Sequence, residues 1–314
     1  MTAVAERFRR LDFRDYGIAY AFAALFIALS FASNSFLKFQ NMSNILDQWA
    51  AIGLLACGET ICIIAGVFDL SVGANVSVSG VVACKVANSA TPTIGLIAGV
   101  FTGLGLGIAN GIIIDRTRIN SFIGTLATSI VMGGLAIIIT GGLIQTVLNA
   151  AFGRLGQNDL FQITYPGWIW IIFALVTGFV LARTTFGRYV YAVGGNAEAA
   201  RLSGVRVGVI RGCCFAISGL AAGIAGVLLA SRTQSAAANL GSGMELTAIS
   251  AAVVGGTSIL GGEGAIWRGV LGTLLLAIIG NGFNLLNIDT TYQQIVQGGL
   301  ILLAVAADQL ARRR

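Results

Sequence analysis

The residue types that carry most protein chemistry are scarce in this sequence, and where they stand is informative. There is no histidine, and the only lysines are Lys38 in LKFQ and Lys85 in CKVA. The first absence removes imidazole acid–base catalysis, histidine metal sites and a Ser/His/Asp triad. Neither lysine sits in GxxxxGK[ST], so the chain carries no nucleotide-binding P-loop. Three of the thirteen acids and a set of amides stand out. Glu59 lies inside an apolar run, where a carboxyl group must be neutral or paired. Asp69 in AGVFDLSVGAN and Glu263 in GGTSILGGEGA stand between glycines where apolar runs break. Irregular backbone is tolerated at membrane depth only against protein or a water-filled cavity, so paired breaks point to a transport pathway. The plainer reading of Asp69, with Ser71 following it, is a tight turn at the inner surface whose acid caps the next helix. On a continuous helix Glu59 would lie roughly 15 Å from it.

Asn110, Asn120, Asn281 and Asn284 lie in or beside apolar runs, and Asn281 and Asn284 share a helix face. Hydrogen bonds between helices account for such amides. Flanked by rings such as Phe122 and Phe283, they are also the lining an uncharged polyhydroxy solute needs. Glu59, Asn110, Asn120, Phe122, Asn281 and Asn284 are therefore the pathway candidates.

A second kind of candidate is the polar stretch Tyr191–Arg206, YAVGGNAEAARLSGVR, set between two apolar segments. Asn196 is a good N-cap and Gly204 a good residue to follow a helix end, so Ala197–Ser203 reads as a two-turn helix. Asn196, Ala199, Ala200 and Ser203 then form a narrow face of small side chains that another surface could approach closely, with Glu198, Arg201 and Val205 pointing elsewhere.

These elements must be positioned by a membrane fold. Hydrophobic residues make up 56%, charged residues 10%, and mean hydropathy is +0.86, the composition of a polytopic membrane protein. The 43 glycines sit inside apolar runs, which predicts close helix–helix contacts and broken helices. The five cysteines, Cys57, Cys62, Cys84, Cys213 and Cys214, read as small buried packing residues. Apolar spans are expected near 17–37, 45–67, 71–87, 93–114, 120–140, 163–182, 209–231, 245–260, 267–287 and 292–308, about ten in all. The basic residues cluster between alternate spans, which places both termini on the inside and argues for membrane rather than nucleic acid. The expected layout is an inner tail 1–16, one all-α transmembrane domain 17–308 with a short cytoplasmic helix in 191–206, and an inner tail 309–314. The inner segments include 68–70, 115–119, 183–208 and 261–266, and 141–162 is the longest outer connection.

The strings GVFDLSVGA (66–74), GIANGIIIDRTRINSFIGTLAT (107–128), AVGGNAEAARLSGVRV (192–207), AISAAVVGGTSILGGEGAIWRGVLG (248–272) and IGNGFNLLNIDTTYQQIVQGGLILLAVAAD (279–308) resemble, in order and spacing, the permease subunits of ribose-type bacterial ABC sugar importers. The likeness runs from about Phe39 to Asp308. It departs at Val67-Phe68 and Ile119-Asn120, where Gly-Ile and Ile-Pro are often seen, and at Glu59, where the family is not expected to be charged. The resemblance implies a non-enzymatic bacterial inner-membrane subunit with no cofactor of its own and no metal. Its partners would be a second permease chain, in a homodimer, an ATP-binding subunit that carries ATP and Mg, a solute-binding protein, membrane lipid and a sugar or polyol. It also implies that Gly194, Gly195, Asn196, Ala199, Ala200, Ser203 and Gly204 couple to the ATPase. Asp69, Ser71, Gly73, Gly255, Gly256, Ser258, Gly261, Gly262 and Gly264 would form structural motifs.

Other readings stay open. An ion-coupled secondary carrier would use Glu59 and Asp69. A permease for branched-chain amino acids has a related build. A membrane enzyme or scaffold is disfavoured by the missing histidine and by the lack of any acidic cluster.

Overall fold

The computed structural model describes residues 13–289 and positions 291–293, 295, 296, 298, 299 and 302. Most of the expected inner tail 1–16, most of the expected span 292–308 and the tail 309–314 lie outside the described residues. The helices are α1 (Phe13–Ala32), α2 (Phe39–Ile64), α3 (Val72–Ser89), α4 (Pro92–Thr117), α5 (Ser121–Thr140), α6 (Ala150–Gln157), α7 (Tyr165–Arg183), α8 (Thr185–Gly195), α9 (Ala197–Leu202), α10 (Val207–Thr233), α11 (Met244–Val254) and α12 (Ile266–Leu285). Strand structure is limited to two antiparallel pairs, β1 (Gln145–Thr146) with β4 (Ser235–Ala236) and β2 (Asp159–Leu160) with β3 (Ile163–Thr164). Among the described residues six helices, α2, α4, α5, α7, α10 and α12, are long and apolar enough to cross a membrane, and two shorter apolar helices, 17–32 and α11, accompany them. The protein is an all-α multi-pass membrane protein; this count does not establish ten spans.

Helix boundaries follow local chemistry. Thr91 accepts the Ile94 N–H ahead of Pro92, and Arg118 ends α4 in the left-handed conformation. Asn120 then caps α5 by accepting from Phe122. The centre of the bundle is backbone on backbone. The buried residues of α4 are Gly95, Gly99, Gly103, Gly107, Asn110 and Gly111, and a spacing of four puts all five glycines on one face. A Cβ on Gly107 would lie 2.8 Å from Gly219 Cα of α10, and one on Gly111 2.8 Å from Gly212 Cα. Larger side chains of α4, among them Ile97, Phe101, Ile108 and Ile112, face outward. Lipid tails are as apolar as leucine, so what favours contact between spans is close approach of small residues.

Two spans are interrupted well inside the protein. Helix α2 stops at Ile64, Gly66 turns the chain with φ 74°, and the chain re-enters the interior so that Asp69 is 1% exposed. Ser218, which donates to Asp69, lies eleven residues into α10, or roughly 16 Å from its start. The expected surface turn at 68–70 is therefore corrected. Asp69 is buried near mid-depth, where its carboxylate binds Ser71 and Ser218, and α3 begins there. The second interruption leads into α11. The chain leaves β4, the Gly241 N–H donates to Ser77 Oγ at 2.9 Å, and α11 starts with Glu245 packed on Gly73. Helix α11 ends at Val254 rather than at 260, because Gly255 packs on the Arg268 backbone and Gly256 adopts φ 93°.

One end of the bundle gathers Arg116, Arg118, Arg183, Arg188, α8, α9 and the start of α10. The other is tied by the Arg232–Asp47 ion pair (2.9 Å) and by Thr164 donating to Asp47. There the 141–162 connection is not open loop. Helix α6 and the strand pairs pack it down, with Ser231 Oγ donating to the Phe152 carbonyl. Cysteines 57, 62, 84 and 214 are buried, but Cys213 is exposed, contrary to the expectation for all five.

The glycine stripe makes a direct prediction. Gly103→Val should force α4 off the Gly223 backbone, costing about 1–3 kcal/mol or more, and the fall in melting temperature and in folded yield from membranes checks it.

Candidate coupling junction and amide pocket

The segment between α7 and α10 is two helices. The unforeseen one, α8, starts where Thr184 accepts the Gly187 N–H and buries Gly187, Val190 and Val193. Thr184 followed by Phe186, Val190 and Val193 at helical spacing was the available signal. After it Asn196 Oδ1 accepts the Ala199 N–H at 2.9 Å and opens α9. Gly204, with φ 84°, closes it as the Val205 N–H reaches the Ala200 carbonyl at 3.0 Å.

The coupling candidates divide between two sides of this unit. Gly194 packs on the Ile64 carbonyl, Gly195 on Gly262, and Gly261 on Gly66 and the Gly194 carbonyl. The Gly262 N–H donates to the Ile64 carbonyl at 2.9 Å. Three backbone segments thus meet at one point: the end of α2, the α8–α9 turn and the loop before α12. Tyr191 adds a bond from its hydroxyl to the Gly264 carbonyl (2.8 Å). Burial raises that phenol above its ordinary pKa, so it stays a donor at neutral pH. Ala200 turns into the protein's own core, 5% exposed. Asn196, Ala199, Ser203 and Gly204 face outward with Leu202, which is 81% exposed, and with the Glu198–Arg201 ion pair. The narrow face expected from spacing is therefore split between Ala199 and Ala200, and Leu202, not singled out in the sequence, stands in the exposed part.

The loop before α12 is held by its own backbone. The Ser258 N–H donates to the Glu263 carbonyl and the Gly261 N–H to the Ser258 carbonyl, both at 3.0 Å. Gly256, Gly261, Gly262 and Gly264 all take positive φ, a conformation that costs other residues 1–2 kcal/mol or so each.

The six pathway candidates do not converge. Asn110 donates to Ser71 Oγ at 2.7 Å and belongs to the Asp69 network. Asn120 caps α5, and Phe122 meets Phe68 edge-on with centroids 6.5 Å apart. Glu59 is fully buried, and neither oxygen has a hydrogen-bond partner among the described residues. Because α2 ends at Ile64, Asp69 folds back to lie near Glu59, as does Glu245. Among the described residues no group of acids and cysteines could hold a metal ion.

Asn281 and Asn284 do come together, at the end opposite α9. Asn281 and Asn41 exchange hydrogen bonds at 2.8 and 3.1 Å. Beside them Asn284, Gln48, Gln293 and Trp49 line a pocket of 130 Å³. Gln48, Trp49 and Gln293 went unnoticed in the sequence, although Gln40, Asn44 and Gln48 recur every four residues along α2. Donors, acceptors and an aromatic ring without formal charge suit a neutral hydroxylated molecule.

Residues 41–305 match the family described as "Branched-chain amino acid transport system / permease component". The chain belongs to this permease family. Over 299 residues the permease is 39% identical to the L-arabinose ABC transporter permease protein AraH of Azospirillum brasilense, covering 95% of this chain and 88% of that one. It is 38% identical over 288 residues to the ribose import permease protein RbsC of Bacillus subtilis (91% and 89%) and 36% over 293 residues to that of Escherichia coli K12 (92% and 91%). These relatives are permeases of sugar ABC importers, as the sequence resemblance implied. No solved structure matches the permease.

The junction is testable apart from transport. Gly194→Val would drive a side chain into the Ile64 carbonyl. It should lower stability by about 1–3 kcal/mol, read as a lower melting temperature in detergent.

Proposed function

We propose that the permease is the membrane-spanning subunit of an ATP-driven importer in the bacterial inner membrane, moving a neutral monosaccharide or polyol by alternating access. The observation that carries this reading is the α8–α9 unit. It is exposed on one side and seated by backbone contacts on the end of α2 and the loop before α12 on the other. A rigid displacement of α9 by an ATPase subunit would pass to α2 and α12 with little loss, because backbone contacts leave no side chain to absorb it. The basic end would then be cytoplasmic, with ATP and Mg on the ATPase. A second permease chain would complete the pathway, and a solute-binding protein would deliver to the amide end.

The amide pocket and the arabinose and ribose permeases among the relatives favour a neutral solute over the zwitterion suggested by the family description. At the pocket end, Asp47 and Arg232 are spent on each other. Against an ion-coupled carrier, Asp69 is engaged by Ser71 and Ser218.

Uptake into vesicles holding the permease, its ATPase and its binding protein tests the assignment. Since Ala200 faces inward, the informative change is Leu202→Glu, expected to cut ATP-dependent uptake by about tenfold or more while the chain still inserts. Unchanged uptake would remove α9 from the ATPase interface, and uptake without the ATPase would replace the importer with a carrier. Gln48→Ala and Asn284→Ala should each raise the KM for solute about fivefold, the worth of one hydrogen bond, without altering basal ATP hydrolysis.

A further inference from the structure

A groove of 700 Å³ runs along the membrane-facing side between α7 and α12. Both helices pack on α2, and Leu46 of α2 joins them in the lining. Trp170, Ala174, Gly178 and Phe179 make one wall, and Ile266 and Val270 belong to the other. The lining is almost wholly apolar, and the hydroxyl of Tyr191, which also borders it, is already given to Gly264. From Trp170 to Ala182 the groove follows α7 for twelve residues, roughly 18 Å. That is close to half of the roughly 30 Å hydrocarbon core, so it has the reach of one leaflet. It ends at the basic end of the bundle. Arg183 directly follows Ala182 and is exposed, Arg188 is exposed one turn into α8, and the Arg268 guanidinium stacks 5.5 Å from the Trp267 ring centre. Glu263, in the loop before α12, is the acid nearest in sequence to that mouth.

We infer that this groove binds an anionic phospholipid, one acyl chain lying between α7 and α12 and the phosphate resting against Arg183 and Arg188. Water has no partners in an apolar groove open to lipid, so the occupant must be apolar along its length. Two exposed cations at one mouth select a chain that carries a negative head. An indole at the same mouth sits where Trp belongs, at the headgroup level. The inference takes only the choice of leaflet from the proposed function, and lipid retention in detergent is measured without transport. Failure of one reading is therefore distinguishable from failure of the other.

Native mass spectrometry of the purified full-length permease, exchanged into phosphatidylglycerol and phosphatidylcholine in equal amounts, tests it. The wild type should hold phosphatidylglycerol with roughly tenfold preference. Arg183→Gln with Arg188→Gln should erase the preference but not all binding. Gly178→Leu should remove the retained lipid by filling the groove. A Cβ there lies 3.7 Å from Ile266, an ordinary contact, and an unchanged melting temperature confirms that this variant is folded. Equal binding of the two lipids by the wild type, or undiminished retention in folded Gly178→Leu, would overturn the inference. So would efficient disulfide linking of two Leu175→Cys chains in the bilayer, because a second copy would then fill the groove.

Discussion

The hydrogen bond from the Gly262 N–H to the Ile64 carbonyl, with Gly194 pressed against the same carbonyl, fixes the relation between the surface unit α8–α9 and the interior. Ile64 is the last residue of α2, and Gly262 belongs to the loop that starts α12. A carbonyl ending a helix lacks an intrahelical partner, and here a third segment supplies it. Because the contact is made between main chains, it exists only while Gly194 and Gly262 have no side chains. The local cost is four left-handed glycines in one loop, offset by the burial of the three segments against one another.

Further into the bundle the same economy of side chains is used differently. The five-glycine face of α4 lets α10 approach to backbone contact, and the polar groups near that seam are answered within it. Asn75 donates to the Gly103 carbonyl at 3.0 Å and Ser79 to Asn75, while Asn110 donates to Ser71, and Ser71 and Ser218 both donate to Asp69. Glu59 stands outside these bonds, fully buried, and neither of its oxygens has a hydrogen-bond partner among the described residues. The structure gives no physical account of why a carboxyl group occupies this position.

Much of the architecture was legible because hydropathy and capping are local. The ends of α4 and α5 fell within a few residues of expectation, and Asn196 and Gly204 delimited α9 correctly. What was not legible depended on distant partners. Whether the chain at Asp69 turns at the surface or re-enters the interior is decided by Ser218, and nothing near Asp69 encodes it. Ala199 and Ala200 look equivalent on a helical wheel, yet α8 and α10 bury one and leave the other exposed. Asn281 and Asn284 were noticed as a pair, but their companions come from α2 and from beyond α12. No periodicity within a single helix could have assembled that pocket.

The depth at which α3 and α11 begin also bears on how the chain enters a membrane. Helix α11 has eleven residues, about 16 Å, too few to cross the hydrocarbon alone, and the carboxylate ahead of α3 needs a hydroxyl 149 residues later in the chain. While the polypeptide emerges from the ribosome, neither segment can be satisfied on its own. Helix α3 has to wait, loosely held at the interface or against the translocon, until α10 supplies Ser218, and α11, made after α10, until α12 arrives to pack against it. Biogenesis of these two segments is therefore late and cooperative, and faults in α10 should surface as failed insertion of α3, a helix made long before it.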